Sequence, residues 1–289
     1  MRVQWSMAGI LPLVFGVLCA PAQPQLPSAR LMQEVVYNEL HDHQLHGYWR
    51  YWIEQYTPKE TRREEQVETA DGPLKRLVLE NGSPLDTASL QIEQARLDHL
   101  LSSPQEQGRR RQDYIDNEEH IGRILTLLPD AFLFEDAGQE NGCYHLRFHP
   151  NPVYPPHSIE ARIFHAMSGE LWIDIRFKRL VRLEGHLQEN VDFGFGILGR
   201  IYKGGWFRLE RTQVSATDWK TERLEVHIGG RAMLFKTIAH ETSEVRGGFA
   251  PVPTRLSLAQ GMSLLLQPQS PGIAATTAQI KSAAFVSRR

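Results

Sequence analysis

His41, His43 and His46 form the densest group of metal-binding side chains in the chain. A zinc pair on a helix needs two histidines one turn apart, so that both rings share a face. His41 and His43 would point well apart, so the group reads as a polar helix end whose imidazoles favour the negative dipole terminus. Ser168 has no G-x-S-x-G elbow around it, with Ala166 and Glu170 as flanks, and Ser168-Gly169 reads as a hairpin turn. Asp174 and Glu184 show no spacing that implies a paired-carboxylate glycosidase. Gly194-Phe195-Gly196 and Gly199 lack the strand-to-helix setting of a dinucleotide loop. Arg109-Arg110-Arg111 suits phosphate chemically, but its polar surroundings, with Pro104 and Gly108, read as a solvated loop. Cys143 precedes Tyr144, Leu146 and Phe148, and reads as a small apolar residue on a strand. No acid, base, nucleophile or metal set stands out. The expectation is therefore a protein without catalysis, cofactor or metal. A hydrolase whose groups meet only in the folded chain, built on His186 or His227, is the weaker reading.

Bulk properties narrow the partners. The chain has 289 residues, 41% hydrophobic and 23% charged, which fits one large ordinary domain. A net charge of -2 offers no field for nucleic acid or an anionic membrane, so no nucleic-acid partner is expected. At the N-terminus Arg2 precedes the apolar run Ile10 to Leu18, and Ala20-Pro21-Ala22 follows. A basic start, a short apolar core and a small-x-small end fit a secretory signal peptide over residues 1–22, hence a periplasmic location. The run is too short to span a bilayer comfortably. Lipidation at Cys19 is disfavoured because Leu18 stands where a small residue is needed. Removal of the leader leaves Cys143 without a disulfide partner, so stability rests on the core.

The elements follow from periodicity. Beyond a proline-rich linker, 23–29, Ser28 caps an expected helix to about His46 with Met32, Val35, Val36 and Leu40 on one stripe. Tyr48 to Tyr56 is an aromatic strand, followed by polar strands turning at Asp71-Gly72. A helical insert spans 87–128, with one helix from Thr87 to about Leu101, a polar break from Ser102 to Arg111, and a second helix ended by Pro129. Strands resume at Ala131 and turn at Asn141-Gly142. A meander from Ile159 to Arg246 follows, beginning with Ile159 to Phe164 as a strand. Leu171, Ile173, Ile175 and Phe177 are expected on one face of it, with Glu170, Asp174 and Arg176 opposite. From about Pro253, residues 254–289 read as a tail. The expected class is α+β: a strongly curved antiparallel sheet packed with helices.

Four stretches carry a resemblance to a known family. They are Asn81-Gly82-Ser83-Pro84-Leu85, Ser168 to Asp174, Arg179 to Leu187, and Lys203-Gly204-Gly205-Trp206-Phe207. Together with the order of elements, they make the chain resemble the periplasmic outer-membrane lipoprotein-sorting proteins and their carrier-like relatives, over about Ser28 to Pro253. The resemblance implies an unclosed β-barrel wrapped around helices that act as plug or lid, with an apolar cavity for acyl chains. It implies no catalytic residue. The family's carriers hold their closed state with one arginine, to which no arginine here aligns, and the helical insert departs from their compact form.

On that reading a lipid or lipoprotein acyl chain is the partner. Leu171, Ile173, Ile175, Phe177, Val181 and Leu183 would line a trough, with Ile121, Leu125 and Leu128 on a helical lid. Each methylene moved from water into such a trough gains about 0.8 kcal/mol. The same residues would serve a filled core equally well, because periodicity does not separate the two. An envelope module without a cavity, docking inner- or outer-membrane envelope proteins through Trp49 and Trp52, is the alternative.

Overall fold

A computed structural model describes residues 28–45, 47–193, 199–232, 236–252 and 255–267. The expected signal peptide, Cys19, most of the linker, His46, Gly194-Phe195-Gly196 and residues 268–289 lie outside the described residues, as does the side chain of His43.

The chain opens with α1 (Ser28–Leu45), then β1 (Tyr48–Tyr56), β2 (Thr61–Val67), β3 (Leu74–Glu80) and a two-residue β4 (Ser83–Pro84). Two helices follow, α2 (Thr87–Ser102) and α3 (Pro104–Ala131). Next come β5 (Phe132–Glu140), β6 (Cys143–Pro150), the short α4 (Ile159–His165), β7 (Met167–Asp174) and β8 (Leu180–Leu187). The remainder is β9 (Val191–Phe193), β10 (Gly199–Ile201), β11 (Trp206–Gln213), β12 (Trp219–Ala232), β13 (Lys236–Val252) and α5 (Leu258–Leu266).

The 13 strands among the described residues join one sheet in the order β4-β3-β2-β1-β13-β12-β11-β8-β7-β6-β5, with β10 bridging β12 and β9. Every pairing is antiparallel, and the sheet curves strongly without closing into a barrel. The class is therefore α+β, as the strand pattern predicts. Among the described residues β5 is a free edge, kinked by a bulge between Asp136 and Gly138.

Alternation gives the central strands two unlike faces. Leu146, Phe148, Leu171 and Ile173 turn inward and are buried with Leu31, Met32 and Val35 of α1. The other face carries a ladder of charge: Arg208 Nε lies 2.7 Å from Glu184, and its guanidinium 3.5 Å from Glu225. His145 stacks on Trp172 at 4.5 Å, and Arg182 covers the opposite face of that indole. Cross-strand pairs of this kind keep register while leaving the face wet.

Several elements differ from the expectation, each for a local reason. Ile159 to Phe164 is helix, because Ser158 caps it through a 3.1 Å bond from the Ala161 amide and Glu160 sits in its first turn. Ser168-Gly169 is inside β7, paired with His186 and Gly185. The strand stops at Asp174, whose carboxylate accepts the amides of Arg176 and Phe177 and so turns the chain. The polar break is confined to Ser103, which caps α3 ahead of Pro104 at the first helical position. Arg109, Arg110 and Arg111 consequently lie on that helix. Arg110 donates to the carbonyls of Asp71 and Pro73, and Arg111 pairs with Asp71 at 3.5 Å, fixing α3 over the β2–β3 turn. Pro129 lies within α3, which ends at Ala131. Leu258 to Leu266 forms α5 with a capping box at Ser257 and Gln260, and buries Met262 and Leu265 against Val67 and Leu74.

Asp218, only 4% exposed, anchors the start of β1 to the β11–β12 turn. Its carboxylate accepts from the Gly47 amide at 2.7 Å, the Trp49 indole at 3.1 Å, Thr217 at 2.9 Å and Ser215. Burial alone would raise its pKa, but the bonds from Ser215, Trp49, Thr217 and Gly47 outweigh it and hold the carboxyl below its ordinary value of 3.8. A depressed folded pKa gives stability that is complete above the unfolded value and lost as pH falls through the folded one. Urea unfolding between pH 6 and pH 2 is expected to show a steeper acid loss for the native chain than for Asp218→Asn. Equal slopes would remove this carboxylate from the account.

Candidate functional site

α1 turns Met32, Val35 and Val36 toward the sheet on one stripe, at the spacing that places side chains on a single helix face. α3 brings Ile124, Leu125 and Leu128 alongside, and α4 contributes Phe164. Opposite stand Phe132 and Phe134 of β5, Phe148 of β6, Met167 and Leu171 of β7, Leu180 and Leu183 of β8, and Phe207 of β11. Phe132 meets Phe148 edge-on at 4.9 Å, which props the aromatic wall. Between these groups lies a pocket of about 270 Å³, partly open to solvent, whose accessible surface is apolar.

The apolar wall of this partly open pocket offers water no hydrogen bonds, so an apolar guest laid along it gains about 25 cal/mol for each Å² of apolar surface removed from water. The volume falls just short of the ~300–1,000 Å³ of drug-sized pockets, so it suits one narrow chain better than a bulky lipid.

One wall residue is charged. Glu39 continues the α1 stripe a turn beyond Val35 and Val36, yet its carboxylate is 10% exposed and fully engaged. Arg179 grips it through Nε at 3.1 Å and through its terminal nitrogen at 3.0 Å. Arg211 of β11 approaches to 2.6 Å, and the Leu180 amide donates at 3.1 Å. Next to it Asn38 donates to the carbonyls of Phe177 and Lys178. The cluster pins the C-terminal half of α1 to the β7–β8 turn beside the cavity.

The residues expected to line a pocket separate into two groups. Leu125, Leu128, Leu171 and Leu183 meet at the cavity. Ile173 is fully buried in the adjoining core without lining the space. Ile175 and Phe177 fall in the turn that Asp174 makes; Phe177 is 37% exposed and meets Trp219 edge-on at 6.2 Å. Val181 is the extra residue of a bulge, since Trp172 pairs with Arg182 and Ile173 with Leu180. Ile121 is 43% exposed, a turn short of the lining stretch of α3. Sequence reasoning missed Glu39, Arg179 and Arg211. The available signal was an acid at the seventh place along the stripe Met32-Val35-Val36.

Other candidates settle elsewhere. Trp49 and Trp52 are 4% and 6% exposed, so they are not a docking surface; Trp49 is held by Asp218 and Trp52 packs against Gly247. His227 lies 3.3 Å from Glu241 and stacks on Trp206. Cys143 is buried, and burial first, then Asp174 and Glu140, raises its thiol pKa. Among the described residues, no group of three or more histidine, cysteine or acidic side chains could hold a metal. No described helix is long and apolar enough to cross a membrane.

No protein-family model and no curated protein matches the chain. Among solved structures, it is similar to a DUF1329 family protein from Desulfovibrio piger, at 10% identity and a TM-score of 0.31, over 84% of this chain and 100% of that one. It is also similar to MucB in complex with MucA(peri), at 9% identity and a TM-score of 0.22, over 84% and 99%. Neither is near enough to transfer an activity or a partner.

Proposed function

We propose that the protein binds a single acyl chain of a lipid or lipoprotein in the cavity between α1, α3, α4 and the sheet, and carries or sequesters it without chemistry. The observation that carries this reading is the partly open pocket of about 270 Å³, whose accessible wall is apolar, so that an acyl chain seated in it removes apolar surface from water. The leader-like run Ile10 to Leu18 supports export, hence action in the periplasm on lipid-bearing partners of the envelope.

Filling the space tests the reading. Leu128→Phe combined with Leu183→Phe puts two rings where the guest would lie, and additions into a void escape the ordinary penalty of overpacking. The delipidated native chain is expected to bind myristate in isothermal titration. The double variant should bind it at least tenfold more weakly, with an unchanged or higher Tm. A native chain that takes up no myristate, or a filled variant that binds it equally well, would overturn the proposal.

A further inference from the structure

A second cavity of about 250 Å³ lies beside the first, and its chemistry is the opposite. Its walls combine the aromatic faces of Tyr48, Tyr114 and Trp219 with the hydrogen-bonding groups of Gln66, Glu68 and Lys220. The two spaces share a floor and a roof. On β11, Phe207 lines the apolar cavity and Arg211 the polar one; the two point to the same face about 13 Å apart. On α3, Leu125 covers the first and Glu118 the second, about 10 Å along the same helix. The Arg211–Glu39 pair stands at their boundary, with Arg211 in one wall and Glu39 in the other, and both spaces are partly open to solvent.

We infer that the ligand is a glycolipid-like amphiphile, its chain in the apolar cavity and an uncharged, hydroxyl-rich head in the polar one. This rests on the acyl-chain reading above and adds the head. The three cations in the polar walls each hold a carboxylate already: Lys220 sits 2.7 Å from Glu68, Arg246 bonds Glu244, and Arg211 holds Glu39. A phosphate or carboxylate head would have to break one of these pairs. Hydroxyls need not, since each can donate to a carboxylate while accepting from an ammonium or amide. Aromatic faces suit the C–H faces of a sugar ring. The Tyr114 ring packs against Gly72, where an added Cβ would come within 2.9 Å of it. The space is also far larger than a bare carboxylate requires.

The test compares three probes with the same twelve-carbon chain, below their micellar concentrations: dodecyl β-D-glucoside, dodecanoate and dodecylphosphocholine. By titration calorimetry, the glucoside is expected to bind at least tenfold more tightly than either of the others. The variant Glu68→Gln/Lys220→Met removes one charge pair together and keeps an acceptor for the Trp49 amide, which now bonds Glu68 at 3.1 Å. It should reduce glucoside affinity to the dodecanoate level, leave dodecanoate binding as it was, and keep its Tm. Tyr114→Leu should act in the same direction. If dodecanoate binds and the glucoside has no advantage, the head assignment falls and the acyl-chain reading stands. Tighter binding of dodecylphosphocholine or dodecanoate than of the glucoside also overturns the head assignment. If none of the three binds, both fall.

Discussion

Glu39→Leu is expected to lower the stability of the fold by about 3–5 kcal/mol, the usual result of removing one member of a buried ion cluster. The reason is what remains. Arg179 and Arg211 are 8% and 12% exposed at the side chain, and without Glu39 both guanidinium groups would lose the buried carboxylate they share. The Leu180 amide would also lose its acceptor. Urea unfolding followed by far-UV circular dichroism should show the shift as a fall in midpoint with an unchanged slope. Glu39→Leu/Arg179→Met/Arg211→Met should regain most of the loss, because apolar replacement of a whole buried cluster is often neutral. Arg109→Ala is the contrast: that arginine pairs with Glu106 but is 69% exposed, so the expected change is below about 0.5 kcal/mol. Comparable losses for the Glu39 and Arg109 variants would show that the buried cluster has no special role.

Gly169→Val is expected to cost about 3 kcal/mol or more, or to prevent folding. Gly169 faces Gly185 across β7 and β8. A Cβ at Gly169 would overlap the Glu184 carbonyl oxygen and stand 2.8 Å from the Phe148 ring. A backbone atom cannot step aside as a flexible side chain can, so the strands would have to part. At Gly185 the same addition would strike the Phe207 ring, a wall of the apolar cavity, so the glycine pair also sets how closely that wall is drawn in. Gly108→Ala supplies the opposite case. It lies in α3 with nothing within 4 Å of the added carbon, and should gain about 0.5–1 kcal/mol from helix propensity. A stable, well-folded Gly169→Val chain would show that the close approach of these strands is dispensable.

Much of the architecture was legible because its signals are local. Alternation at Leu171 and Ile173 marks an amphipathic strand, Asn141-Gly142 marks a turn, and the stripe Met32-Val35-Val36 marks the helix that covers the sheet. What escaped depends on single bonds that no periodicity encodes. Ile175 and Phe177 continue the alternation perfectly, yet the Asp174 carboxylate captures two amides and ends the strand first. Ile159 to Phe164 alternates as a strand would, and one serine cap makes it helical. For the cavity, the chain named leucines on both walls but not the aromatic props or the ion cluster. Glu39, Arg179 and Arg211 are far apart in sequence and meet only through the register of β8 on β11 and the docking of α1.

The open edge at β5 has a consequence for life at high concentration. A sheet of this size that fails to close exposes a row of unpaired peptide groups, a template on which a second molecule could add its own strand. Here that row is broken where Gly138 adopts a φ of +110° at the bulge, and Glu135, Asp136 and Glu140 crowd it with exposed negative charge. Two copies approaching edge to edge would meet mismatched backbones and like charges, so fibrous self-association is discouraged by the strand itself without a covering subunit.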